Sequence, residues 1–244
     1  MHRAIFWDFD GTLVHSDSLW SRSVYRAIHT VMPGCPISYP AISTHMRTGF
    51  TWHTPDRDHT SLVGERWWQH MLDRFAGVYQ SLGIDPETAR QASHTVRQII
   101  KSVDSYILYD DAVSVLQTCS ERGYKNYILS NNYPDLADVI DGLQLRHHFI
   151  DLIVSAQVGY DKPRIELFDH AKKVAGFPAV CIMVGDNPVA DVRGGQAAGM
   201  KTILVHPRLS QLSLAELDRT QPDQPWQSGA DHTFYSLTEI LTAI

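Results

Sequence analysis

Asp8 and Asp10, two residues apart, close the stretch Ala4-Ile-Phe-Trp-Asp-Phe-Asp-Gly-Thr12 near the start of the chain. Four apolar residues precede them without interruption, the pattern of a strand buried on both faces in a parallel sheet. Side chains at i and i+2 of a strand point the same way, so both carboxylates are expected to face one side. Two like charges at the end of an interior strand are costly unless a cation or a proton is shared, and the arrangement asks for a divalent metal. Gly11 then allows a sharp turn and close approach of a ligand to main-chain N–H groups. Further polar residues end other apolar runs: Ser130-Asn131 after Tyr127-Ile-Leu, and Gly185-Asp186 after Val180-Cys-Ile-Met-Val. Lys162 follows shortly after Leu152-Ile-Val-Ser155.

A carboxylate pair, a hydroxyl, a lysine and a further acidic segment form a device for a phosphoryl group. Asp8 is placed to attack phosphorus and form an aspartyl-phosphate, which divides one displacement into two easier ones. Asp10 is placed to protonate the leaving oxygen and then to activate water. Mg²⁺, held by Asp8, Asp186 and a main-chain carbonyl, neutralises carboxylates and phosphoryl oxygens. Lys162 and the Ser130 hydroxyl, with N–H groups near Gly11 and Asn131, hold the equatorial oxygens.

The elements that position these groups are legible from periodicity. Trp20, Val24, Ala27, Ile28 and Val31 recur at helical spacing behind Ser16 or Asp17 as N-cap, and Pro33-Gly34 stops the helix. Residues 34–60 are polar and rich in turn formers. Val63, Trp67, Met71 and Phe75 mark a second helix; a third begins at Asp85-Pro86-Glu87, a cap followed by proline at the first helical position. From about residue 107 short apolar runs alternate with helical patterns, including single helices over 164–175 and 188–198. The fold class expected is α/β, a doubly wound parallel sheet with an inserted all-helical unit. Residues 1–14 plus 107–244 form the core and 15–106 the helical insert. Ligands in such sheets bind beyond the carboxyl ends of the strands, where all four polar segments fall.

At these residues the chain resembles the haloacid dehalogenase (HAD) superfamily of phosphohydrolases, through four ordered motifs. Asp8-Phe-Asp-Gly-Thr12 resembles the first, Leu129-Ser-Asn131 the second, Lys162-Pro163 the third and Val184-Gly-Asp-Asn-Pro-Val-Ala-Asp191 the fourth. The resemblance implies a Rossmann-like core with a helical cap inserted after the first motif. It implies Asp8, Asp10, Ser130 and Lys162 as catalytic, and Gly11, Thr12 and Asn131 as phosphate-binding. Metal binding falls to Asp8, Asp10 (through its main-chain carbonyl) and Asp186, with Asp191 in support. Dehalogenase members lack the second aspartate, so Asp10 argues against that chemistry. Phosphonate-cleaving members need a cap lysine, and the only one between residues 14 and 106 is Lys101, at the far end of the last helix of the insert.

Composition narrows the setting. With 43% apolar and 20% charged residues over 244 positions, the chain is an ordinary globular one. Its net charge of −6 excludes a broad basic surface for nucleic acid. No apolar run approaches a membrane span, and an N-terminus running into two aspartates is no secretory signal. Cys35, Cys119 and Cys181 form no C-x-x-C pair, so neither a disulfide framework nor a zinc knuckle is expected. Of the remaining polar segments, His53–His59 reads as a solvated loop, His147-His148 as a surface turn and Arg164 as surface. Trp67-Trp68 is expected to split between core and interface, while Asn132 either assists Asn131 or caps the following helix.

The function expected is a cytoplasmic, Mg²⁺-dependent phosphomonoesterase, a monomer or homodimer. Its partner is a small phosphate ester, a sugar phosphate or a nucleoside monophosphate, with neither nucleic acid nor membrane involved. The alternatives are a phosphomutase using the same residues, and a non-catalytic regulator that stores a phosphoryl group on an aspartate.

Overall fold

The computed structural model describes residues 2–16, 18–206 and 229–244. In chain order the elements are β1 (Arg3–Trp7), β2 (Val14–His15), α1 (Leu19–Val31), α2 (Tyr39–His45), α3 (Glu65–Ser81), α4 (Pro86–Ile100), β3 (Ile107–Leu108), α5 (Ala112–Glu121), β4 (Tyr124–Ser130), α6 (Leu136–Gly142), β5 (Asp151–Val154), α7 (Ser155–Val158), α8 (Ile165–Val174), β6 (Val180–Gly185), α9 (Gly194–Ala197), β7 (Lys201–Val205), β8 (His232–Phe234) and α10 (Leu237–Ile240). Six strands form one parallel sheet in the order β5-β4-β1-β6-β7-β8. The chain winds outward from β1 through β4 to β5, then returns to β6 and winds the other way. β1 therefore lies at the switch point, where the crevice of a doubly wound sheet opens.

Alternation along β1 explains its unbroken apolar run. Ile5 and Trp7 enter one core with α5, α6 and α10 through Leu116, Ile140 and Leu237. Ala4 and Phe6 enter the other with α8 through Leu167 and Phe168. Each layer buries an apolar face, and both contribute at roughly 25 cal/mol per Å² of apolar area removed from water. The Trp7 indole donates to buried Asn126 Oδ1 at 3.0 Å, and the Asn126 amide donates to Leu116 O at 3.0 Å, so these two buried side chains are paired. All three cysteines are free thiols.

The chain leaves and re-enters the sheet layer through β2 and β3, an antiparallel pair matching Val14 with Leu108 and His15 with Ile107. Between them the described residues form helices and turns, with α4 packed against both α1 and α3. Asp85 caps α4 through two N–H groups, those of Glu87 and Thr88, at 3.1 and 3.0 Å. No helix among the described residues is long and apolar enough to cross a membrane.

Several local expectations are corrected. Ser16 does not cap α1: its hydroxyl donates to Asp10 instead, and Ser18, at φ +62°, stands before the helix. Asp17 lies outside the described residues. Residues 34–60 contain α2, whose Pro40 has no N–H to lose in the first turn, and a 3₁₀ turn over Thr51–His53. Ile42, Met46 and Phe50, all buried, carry a helical spacing that the surrounding polar residues conceal. The span 188–198 is a π-helical turn, Pro188–Arg193, followed by α9. There a side chain at Gly194 would strike the Phe168 ring of α8, and one at Gly195 would press on Met183 and Thr202 of the sheet, so both glycines sit at close approaches. Ser155 opens α7 rather than ending β5, and Asp135, not Asn132, stands at the N-cap of α6.

Candidate active site at the sheet switch point

β1 ends with the ladder still intact, since the Asp8 N–H donates to Val184 O at 2.8 Å. The chain then turns back within four residues: Gly11 N–H donates to Val14 O at 2.7 Å and Leu13 N–H to Phe9 O at 2.9 Å. Gly11 adopts φ +87°, and a side chain there would collide with the Asp186 carboxylate. Glycine is thus required twice, for the backbone and for the neighbour. The Gly11 N–H is engaged inside the turn rather than left for a ligand. The Thr12 hydroxyl is fully buried without a partner among the described residues, so its side chain does not reach the crevice.

This turn separates the two aspartates that strand alternation would have aligned. Asp8 faces the sheet end, where Lys162 Nζ lies 2.9 Å from its Oδ1. Asp10 belongs to the turn, not the strand, and its carboxylate accepts from the Ser16 hydroxyl at 2.8 Å and the Asn132 amide at 3.4 Å. The carboxylates brought together are those of Asp8, Asp186 and Asp191, with oxygens within 4.8 Å of one another. The Asp10 side chain is not among them.

Lys162, 2% exposed, supplies the only ammonium facing this cluster among the described residues. Its three protons have three acceptors: Asp191 Oδ1 at 2.6 Å, Leu129 O at 2.8 Å and Asp8 Oδ1 at 2.9 Å. Burial works against its charge, but the Asp191 and Asp8 carboxylates outweigh it and hold the group above its ordinary pKa. Asp191 also accepts from the Asn187 N–H at 2.9 Å, so both its oxygens are occupied. Burial, opposed by Lys162, pushes its carboxyl up to about 6. Asp186 is raised well above the carboxylate range, by burial first and then by Asp8 and Asp191. Three carboxylates against one ammonium leave an excess of negative charge, and hard oxygen donors of this kind suit Mg²⁺. Asp8 and Asp186 have oxygens to offer it, whereas Asp191 is committed to Lys162 and Asn187.

Asn131 holds the lysine loop and also borders the crevice. Its amide donates to Lys162 O at 3.0 Å while its Oδ1 accepts the Lys162 N–H at 2.7 Å. Ser130, at the end of β4, lines a cavity of about 480 Å³ together with Asp8, Asp10, Lys162 and Asp186. Every sequence-derived site residue except the Thr12 side chain therefore converges on the carboxyl ends of β1, β4 and β6 or supports a residue that does.

The structure adds groups that periodicity could not assign. Asn132 touches Asp10 and donates its own N–H to the Ser155 hydroxyl at 3.2 Å. Asp161, 2% exposed, has one buried oxygen without a partner among the described residues; burial raises its pKa against the Ser155 and Thr51 hydroxyls beside it. His53, the first residue of the segment read as a solvated loop, and its neighbour Trp52 line the cavity beside Asp8 and Asp10. That segment is docked, not free: His59 N–H donates to Gly159 O at 3.2 Å and Gly64 N–H to Ala156 O at 2.9 Å. Arg164 lies on the same seam, over the Tyr160 ring and 3.5 Å from Asp56 O. Trp68 donates to Asp135 at 2.9 Å, and Arg97 and Lys101 pair with the same carboxylate at 3.1 Å, tying the helices to α6. Lys101 is therefore engaged away from the crevice.

A family model for haloacid dehalogenase-like hydrolases matches residues 2–199. Phosphoserine phosphatase of Thermus thermophilus is 35% identical over 133 residues, 54% of this chain and 52% of that protein. The chain thus spans about half the length of that curated relative. Glyceraldehyde 3-phosphate phosphatase of Methanopyrus kandleri is 25% identical over 207 residues, 84% of each chain. Among solved structures, the HAD-hydrolase YfnB from Bacillus subtilis, bound to magnesium, superposes with a TM-score of 0.71 at 18% identity over 99% of this chain and 98% of that one.

Proposed function

The chain belongs to the haloacid dehalogenase-like hydrolase family, and on that premise we propose that it is a Mg²⁺-dependent phosphomonoesterase. Its substrate is a small phosphorylated metabolite, a sugar phosphate or a nucleoside monophosphate, cleaved through an aspartyl-phosphate on Asp8. The observation that carries this reading is the separate tethering of the two aspartates. Asp8 is aligned by Lys162 in the buried cluster, whereas Asp10 is held by Ser16 and Asn132 on the wall of the same cavity, away from the ammonium. One carboxylate is set for attack and the other is placed to carry a proton.

In the first displacement an Asp8 oxygen bonds to phosphorus, the bond from phosphorus to the leaving oxygen breaks, and Asp10 gives that oxygen its proton. In the second, water attacks the same phosphorus, Asp10 takes a proton from it, and the bond to Asp8 breaks to release phosphate. Lys162 and Ser130 line the space for the equatorial oxygens, with Asn131 and Asp191 positioning the lysine. Mg²⁺ at Asp8, Asp186 and the Asp10 main-chain carbonyl would supply charge neutralisation for the phosphoryl group. Residues 15–106 act as a cap over the core of residues 1–14 and 107–244, excluding water from the first displacement.

The test is phosphate release from an aryl phosphate by wild type and Asp8→Asn, with Mg²⁺ and after chelation. Release by wild type alone, lost on chelation and restored by Mg²⁺, supports the reading; equal rates in Asp8→Asn refute the nucleophile assignment. An isomerised sugar phosphate in place of free phosphate would identify a mutase. An acyl-phosphate that persists for minutes would identify a regulator.

A further inference from the structure

The crevice continues past Asp10 into a second cavity of about 470 Å³, bounded by the helical insert. The two cavities share Asp10, Trp52, His53, Asn131 and Asp186. A phosphoryl group seated against Asp8 and Lys162 therefore directs its leaving group toward the space beyond Asp10. What lines that space decides which leaving group it takes.

Its far wall is aromatic. Trp20 and Trp52 are half-buried, and their rings lie 5.8 Å apart. Phe50 stacks on Trp52 at 4.6 Å with 12° between planes, and Trp67 stacks on it at 6.1 Å and 26°. Phe50 and Trp67 are buried and hold Trp52 in place, with Phe50 also reaching the cavity lining. The wall is pre-organised, which lowers the ordering cost of binding a flat group against it. His53 adds a polar edge. The Phe50 N–H approaches its Nδ1 at 3.4 Å, which places the ring proton on Nε2. Burial, and then the Arg74 guanidinium behind it, hold the His53 pKa below its ordinary value, so the ring is neutral at pH 7.

The charge of the lining is equally selective. Among the described residues, Lys162 is the only lysine or arginine bordering either cavity, and its three protons already serve Asp8, Asp191 and Leu129 O. Asp10 and Asp186 border both spaces. A second phosphate, or a carboxylate on the leaving group, would find no lysine or arginine of the lining free to pair with it. Such a group loses its water without gaining a partner.

We propose that this site selects phosphomonoesters whose leaving group is uncharged and carries a planar ring, which lies against Trp20 and Trp52. This rests on the phosphomonoesterase reading above. It sets the chain apart from an enzyme for phosphorylated hydroxy acids or amino acids, whose leaving groups bear a carboxylate. Ring stacking on aromatic side chains contributes on the scale of a tenfold change in affinity, and the missing cation discriminates by a similar factor.

The experiment compares kcat/KM for three esters of one primary alcohol type, with Mg²⁺ present. Uridine 5′-monophosphate has the ring, ribose 5-phosphate has the same leaving oxygen without it, and phosphoglycolate carries a carboxylate. The nucleotide is expected to exceed ribose 5-phosphate by about 10-fold or more, chiefly through KM, and phosphoglycolate to fall below both. Trp52→Ala should collapse the nucleotide-to-sugar ratio toward one, while Trp52→Phe, which keeps a ring, should preserve most of it. Equal kcat/KM for the nucleotide and the sugar phosphate, or preference for phosphoglycolate, would overturn the inference and leave the phosphatase reading standing. No release from any of the three by folded protein would overturn both.

Discussion

Replacing Lys162 by methionine asks whether the ammonium holds the site together or merely occupies it. Its side chain is 1% exposed, 2.6 Å from Asp191 and 2.9 Å from Asp8. Methionine keeps the length and most of the volume, so charge is removed rather than packing. Asp191, also 1% exposed, is then a buried carboxylate whose remaining donor is the Asn187 N–H. Removing one partner of a buried pair costs about 3–5 kcal/mol, mostly the penalty of the stranded charge. Asp8 adds less, because it opens onto the cavity. Lys162→Met should therefore lower the unfolding free energy by about 3–5 kcal/mol and abolish turnover. The sharper expectation concerns a second change. Asp191→Asn alone destabilises, since the ammonium loses a carboxylate and an amide now meets the Asn187 N–H. Added to Lys162→Met, it removes the stranded charge and should restore about 1–3 kcal/mol. Urea unfolding in metal-free buffer, followed in parallel by tryptophan fluorescence and far-UV circular dichroism, yields the four free energies of the cycle. A Lys162→Met protein within about 1 kcal/mol of wild type, or a double variant less stable than Lys162→Met, would refute the argument.

Asp10→Asn should slow hydrolysis of an alkyl phosphate by about 10²–10⁴-fold but spare much of the first step for an aryl phosphate, whose oxygen leaves without a proton; equal losses on both would count against a general acid. Gly11→Ala forces a side chain to φ +87° and pushes on Asp186. It should cost about 1–2 kcal/mol in stability and raise the Mg²⁺ concentration needed for half-maximal activity, read from a metal titration. Asp85→Ala removes the cap of α4, which is distant from the crevice, and should cost about 1 kcal/mol in urea unfolding with kcat unchanged.

How far the sequence reads correctly depends on how local the signal is. Apolar runs ended by Asp8, Ser130 and Asp186 carry their own strand period and their own stop, so the parallel sheet and its crowded edge were visible without a fold. Asp85-Pro86-Glu87 announced a helix start for the same reason: a cap depends on residues within three positions. The α2 helix leaves little trace in the sequence because Ile42 is its one buried residue among polar neighbours, and a helix this short takes its stability from what it packs against. Strand alternation also ran one residue too far. It aligned Asp8 with Asp10, but the turn at Gly11 takes Asp10 off the strand.

By itself the sequence determined the alternation of strands and helices in the core up to β7, the interior place of β1 and the set of residues that meet at the sheet's edge, because apolar periodicity, glycine and capping act over a few positions. Only the tertiary structure decided what each group does there. It gave Asp8 to Lys162 and Asp10 to Ser16 and Asn132, made Asn131 a clamp on the lysine loop, and tied Asp191 to Lys162 and the Asn187 N–H. It also brought Trp20 and Trp52 together as one wall, an outcome set by how α1, α3 and the Thr51–His53 turn pack. Contacts between residues far apart in sequence leave no period to read, and the aromatic wall beside the crevice is built from such contacts.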